Sequence, residues 1–161
     1  MTERETRWLD APQQRSWRAL VVGTTLLMDR LDDDLRAQFG ISLTEYEILV
    51  RLSEKPGAQL RMAQLADALA HSRSRVTHTV KRMEDAGLVT RSTTPEDGRG
   101  VVCSMTEAGW SLIREAAHAH VDGVRQYLVD LADPDDFAAL GRVMNAVTDR
   151  LISAHPEMDL R

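Results

Sequence analysis

The 161-residue chain predicts a mainly α fold of the α+β class, and three observations carry that expectation. Apolar residues recur at three- and four-residue steps through most of its length, the period of a helix buried along one side. Only two short runs, Leu88–Ser92 and Val101–Met105, have β character, and a polar, glycine-containing segment separates them. The outermost helical segments carry apolar stripes longer than a small domain can cover by itself.

The first helix is expected over residues 12–38, with Trp17, Leu20, Leu27, Leu31 and Leu35 on its stripe, Pro12 in its first turn and Gly40 ending it. Thr44 and Glu47 have the spacing of a capping box for a second helix, carrying Ile48, Leu49 and Leu52 and stopping at Lys55-Pro56-Gly57. A short helix over Met62–Leu69 and a turn at Ala70-His71 follow. Ser72 or Ser74 then caps a helix whose Val76, Val80 and Met83 share one stripe, and Gly87 closes it. Leu88–Ser92 and Val101–Met105 read as a hairpin with a long polar tip. Thr106-Glu107 opens a helix running to about Asp130. Asp133-Pro134-Asp135-Asp136 starts the last helix, where Phe137, Leu140, Met144, Val147 and Leu151 form a heptad-like seam. No linker is long enough to split the chain, so residues 1–161 are expected to form a single domain. Its helical dimerisation region would span 12–40 and 107–153, and a compact lobe 43–106.

Composition narrows the function classes. The chain is 43% apolar and 28% charged, as in ordinary globular proteins. No apolar run could span a bilayer, so no membrane partner is expected. The polar start, Thr2-Glu3-Arg4-Glu5 and on to Arg7, lacks the apolar core of a secretory signal, and a cytoplasmic location is expected. Cys103 is the single cysteine, so neither an intramolecular disulfide nor a cysteine-built zinc site is available.

Against a formal charge of −5, residues 72–83, SRSRVTHTVKRM, stand out. They hold Arg73, Arg75, Lys81, Arg82 and His78 without a carboxylate. A basic helix face alone is usually only solvated surface. Here it follows a short helix and a tight turn and precedes a hairpin, which is the order of a winged helix-turn-helix, with long N- and C-terminal dimerisation helices around it. Arg73, Thr77 and Lys81 share one outer side, with Ser74, His78 and Arg82 beside them. Guanidinium forks suit guanine edges, and small hydroxyls suit phosphates or bases. Arg91 lies on the rising strand, and Arg99 lies in the tip between two glycines, where it can reach a minor groove. Asp97 either orients an arginine or makes a turn with Gly98.

The run Leu65-Ala66, Leu69, Ser72-Arg73-Ser74, Val76-Thr77, Val80, Arg82-Met83-Glu84 and Gly87-Leu88-Val89 closely resembles the MarR family of bacterial transcription regulators. So do Asp97-Gly98-Arg99-Gly100 and Met105-Thr106-Glu107-Ala108-Gly109, and the likeness is densest from Leu43 to Gly109. It implies a homodimer that binds double-stranded DNA at palindromic operators, most often as a repressor. The positions matching Ser72, Arg73, Ser74, Thr77, His78 and Arg82 would face DNA, and those matching Asp97 and Arg99 would belong to the wing. Gly98 departs from the arginine often found there, which is expected to weaken wing contact. His78 stands at a position that varies in the family, so no base preference transfers with it.

The resemblance also implies a small aromatic or anionic effector between the dimer helices and the DNA-binding lobe, with Trp8, Trp17, Met28, Tyr46 and Trp110 as candidate lining. Core packing accounts for those residues equally well. His118 and Asp122 lie one helical turn apart with His120 nearby, but no second Cys/His cluster completes a metal site. Cys103 reads as a small buried apolar residue. No Ser-His-Asp order, phosphate loop or acid pair stands out, so neither catalysis nor a cofactor is expected. The competing readings are a winged-helix protein-interaction module without DNA binding and a metal-responsive regulator.

Overall fold

The computed structural model describes residues 5–93 and 100–152. Helix α1 (Ala11–Phe39) begins one residue earlier than its proline suggests because Asp10 caps it. Asp10 Oδ1 accepts from Gln13 N at 2.8 Å, and the Gln13 side chain accepts from Asp10 N at 3.0 Å. The helix ends at Gly40, whose φ of +71° closes the last turn without a Cβ in the way.

Helix α2 (Leu43–Ser53) follows, but its capping box lies two residues before the expected one. Ser42, not Thr44, is the cap: Ser42 Oγ accepts from Glu45 N at 3.2 Å, and Glu45 Oε2 accepts from Ser42 N at 2.7 Å. Asp32 of α1 accepts from Leu43 N at 2.7 Å and so fixes where α2 begins. A short strand absent from the expected elements, β1 (Gln59–Arg61), precedes α3 (Met62–Ala68). The turn into α4 (Arg73–Asp85) holds Ala70 at φ +52°, and Ser72 caps α4 by accepting from Arg75 N at 3.3 Å.

Strands β2 (Val89–Thr93) and β3 (Val101–Met105) form the hairpin, and the antiparallel order β1-β3-β2 completes a three-stranded sheet. Cys103 is opposite both Leu60 and Arg91. Helix α5 (Glu107–Tyr127) is shorter than expected and is followed by a single 3-10 turn over Val129–Leu131, then α6 (Pro134–Ile152).

One core sits where α2, α4, the sheet and α5 meet, built from Ile48, Leu49, Leu52, Leu65, Val76, Val80, Met83, Val89, Cys103 and Ile113. The C-terminal part of α1 joins it through Leu35, whereas Trp17, Leu20, Val22 and Leu26 on the N-terminal part are exposed. Along α6, Phe137, Leu140, Met144, Val147 and Leu151 are all exposed in the single chain.

Helix α5 starts tight against the hairpin base. Thr106 Oγ1 donates to Gly87 O at 2.7 Å and accepts from Gly109 N at 3.1 Å. A Cβ on Gly109 would lie 2.4 Å from Leu88 O and 2.8 Å from Met105 Cγ. Gly109→Ala is therefore expected to destabilise the fold by about 1–3 kcal/mol. A lower urea midpoint at unchanged m-value checks it.

Candidate nucleic-acid interface

The twist of α4 about its own axis is set from below. Val76, Thr79, Val80 and Met83 are buried, so the helical period turns Arg73, Ser74, Arg75, Thr77, His78, Lys81 and Arg82 to solvent. Ser72 is exposed at the start of the helix beside Ser74, their hydroxyls 3.3 Å apart. Thr79, by contrast, points inward and donates to Arg75 O at 3.0 Å.

Two of the four cations in this window are engaged by carboxylates while remaining at the surface. Lys81 Nζ pairs with Asp85 one turn later, and Arg82 Nη2 lies 3.4 Å from Glu45 Oε1 on α2. Both carboxylates lie outside the twelve-residue window. The exposed face remains basic toward Arg73 and Arg75 and is closer to neutral toward Lys81 and Arg82.

A cleft of about 510 Å³ opens between α4, the start of α3 and the hairpin. Its walls are Arg73 and Thr77 from α4, Arg61, Met62 and Ala63 from the β1–α3 junction, and Arg91, Gly100 and Val101 from the hairpin. Arg61 was not among the sequence candidates. Its signal was its place just before the short helix, legible only once β1 is known to pair with β3. Arg91 is half-buried and held by Glu84 of α4 rather than projecting freely: its Nε and Nη2 donate to Glu84 Oε2 at 3.0 and 2.8 Å. Asp97 and Arg99 lie outside the described residues.

The effector candidates do not converge in one cavity of a single chain. Tyr46 lines a space of about 520 Å³ with Glu47, Val50, Arg51, Leu69 and His120. Met28 instead lines an apolar groove of about 490 Å³ with Leu20, Leu27, Tyr127, Leu140 and Met144. Trp17 is exposed on α1, and Trp110 packs partly buried against the core. Cys103 is fully buried, and burial pushes its thiol up to about 12, with Arg91 opposing the shift. His118 and Asp122 are exposed, and among the described residues no three His, Cys, Asp or Glu side chains gather as a metal site. No helix among the described residues is long and apolar enough to cross a membrane.

A family profile described as the MarR family matches residues 39–100. The chain is 32% identical over 133 residues to the HTH-type transcriptional regulator PecS of Dickeya dadantii, spanning 77% of this chain and 80% of that protein. Among solved structures it is similar to Sco3205 of Streptomyces coelicolor, a MarR family transcriptional regulator crystallised in complex with DNA. That match has 39% identity and a TM-score of 0.89 and covers 92% of this chain and 93% of that one. It is also similar to AbsC, a MarR family transcriptional regulator of the same organism, with 38% identity, a TM-score of 0.87, and 92% and 99% of the two chains covered.

His120 stacks on Tyr46 with ring centroids 4.5 Å apart, and its Nδ1 is buried without a hydrogen-bond partner among the described residues. Burial depresses its pKa below the ordinary 6.5, and burial together with Arg75 does the same for His71. On acidification the unfolded chain takes up these protons before the native one. The stability they contribute is whole above the ordinary imidazole range and declines as pH falls through it toward the native values. Urea midpoints at about pH 7.5 and about pH 5.5 are expected to differ accordingly, and His120→Gln to narrow the difference without abolishing it.

Proposed function

The chain belongs to the MarR family of DNA-binding transcriptional regulators, and from that premise we propose that it is a homodimeric, ligand-responsive repressor acting on palindromic operators. The observation that carries this reading is the outward polar face of α4, presented by a helix whose opposite face is locked into the core. An α-helix fits the major groove, and Arg73, Arg75, Thr77 and His78 bring donors of the kind that read base edges and bind phosphate. Ser72 and Ser74 stand at the helix start, where hydroxyls suit the phosphate backbone. Lys81 and Arg82 would meet DNA after releasing or sharing Asp85 and Glu45. Asp97 and Arg99 are assigned to the wing on the family resemblance alone.

Dimerisation is supported by surface that one chain leaves uncovered. Helix α6 has no buried residue along its described length, and its Leu140 and Met144 line one apolar groove with Leu20, Leu27 and Met28 of α1. A twofold partner placing the same helices against this surface would bury both copies at once. The two α4 helices would then have to sit one helical turn apart, about 34–36 Å. Sco3205, the similar regulator solved with DNA, supports the same kind of partner for this chain. A small aromatic or anionic effector, held near Tyr46 or against Trp17, Met28 and Trp110 once two chains meet, would act by preferring a dimer with its α4 helices wrongly spaced.

Arg73→Ala is expected to weaken binding to a duplex selected from a random pool by about 1–3 kcal/mol if it reads a base. If it binds phosphate instead, the salt slope falls by about one per subunit. Sedimentation should still show a dimer. Titrations in which wild type and Arg73→Ala coincide at every salt concentration would overturn the assignment and favour a protein-interaction role.

A further inference from the structure

Arg91 presents a paradox of placement. It is a cation in the wall of the cleft between α4 and the hairpin, yet it shares its face of β2 with buried Val89 and stands opposite fully buried Cys103. That face turns toward the core and α4, while Thr90 and Ser92, on the alternate face, are exposed. The guanidinium is already engaged. Glu84 Oε2 accepts from Arg91 Nε and Nη2 at 3.0 and 2.8 Å, and Glu84 Oε1 accepts from the Arg91 backbone N–H at 3.0 Å. Side-chain exposure of the two partners is 25% and 30%.

Three hydrogen bonds between one carboxylate and one residue fix both direction and distance, which a point contact between lysine and carboxylate would not. Glu84 lies in the last turn of α4, and Arg91 lies midway along β2. The pair spans the angle between α4 and the hairpin, above the turn at Gly87 with its φ of +74°. Closer to that turn the chain leading into β2 is tied to α4 by the bond from Leu88 N to Met83 O at 2.9 Å. A neutralised arginine also releases few counterions on meeting DNA, because Glu84 already compensates its charge.

We propose that Glu84 and Arg91 are a positioning pair: Glu84 grips Arg91 to set the wing angle relative to α4, so Arg91 serves DNA binding indirectly instead of as a phosphate ligand. This rests on the DNA-binding reading above. It replaces the expectation that Arg91 touches DNA and adds Glu84 to the residues on which operator affinity depends.

The test uses the full-length dimer and a duplex that the wild-type protein selects from a random pool. Glu84→Gln and Arg91→Gln are each expected to weaken binding about tenfold, since each removes a charge-assisted contact. Any change in salt slope should be the same in both variants, since both disturb the same wing contacts, and the double variant should bind no worse than the weaker single one. On a duplex trimmed to remove the flanking minor grooves where the wings would lie, the losses should vanish. A merely structural role would leave them in place. Arg91→Lys, which keeps the charge but not the fork, should lose affinity in part and only on the untrimmed duplex, and it serves if the glutamine variants fold poorly.

A slope reduced by about one per subunit in Arg91→Gln, with Glu84→Gln unchanged or tighter, would identify a phosphate ligand and overturn the pair. So would full affinity in Glu84→Gln, or losses that persist on the trimmed duplex. Weakening by Arg73→Ala without any by Glu84→Gln sinks the pair alone. Failure of the wild-type protein to select any duplex sinks the DNA-binding reading and this inference with it.

Discussion

The rotation of α4 about its own axis is the constraint on which the rest of the molecule depends. Val76, Val80 and Met83 are sealed into the core with Ile48, Leu49 and Leu52 of α2. Turning the helix by one residue, about 100°, would drive Arg75 or Thr77 into that space and lift a valine into water. Burying an unpaired guanidinium is far costlier than losing one apolar contact, so the inner face dictates the outer one. The chemistry offered to a partner is a by-product of packing, and it is as well defined as the packing is.

The same principle acts at two other joints. Asp32 accepts from Leu43 N, so the start of α2 is fixed by a side chain of α1, and Glu45 then reaches Arg82 of α4. Asp34 accepts from the Tyr127 hydroxyl at 3.0 Å while Arg30 lies over the Tyr127 ring, fastening α1 to the end of α5. Polar contacts set the angles between elements, and apolar contacts hold them together.

How much of this was legible in the sequence follows from the range of each interaction. The inner stripe of α4 and the hairpin are local patterns and could be read directly, and the cap of α4 could be narrowed to Ser72 or Ser74. Ser42–Glu45 and Thr44–Glu47 both satisfy the capping-box spacing. Choosing between them took Gly40 and Asp32, the latter a tertiary contact. Strand β1 is three residues long and exists because Cys103 and its neighbours offer an edge to pair with. Asp85 could have been found as a partner of Lys81 one turn ahead, but Glu45 lies on another helix and has no spacing to betray it. Arg91 looked like a free cation for the same reason. Charge is visible in sequence, whereas its neutralisation across the fold is not.

The continuity of α1 has a mechanical result. Its 29 residues extend about 43 Å, with one end seated in the lobe through Leu31 and Leu35 and the other exposed near Trp17. An unbroken rod of that length is a lever: tilting it by about 5° about Leu31, roughly 30 Å from the Ala11 end, carries that end about 2.6 Å, most of one base-pair rise. Disengaging such a protein from a duplex would require no unfolding, only a small pivot near the fulcrum at Leu31.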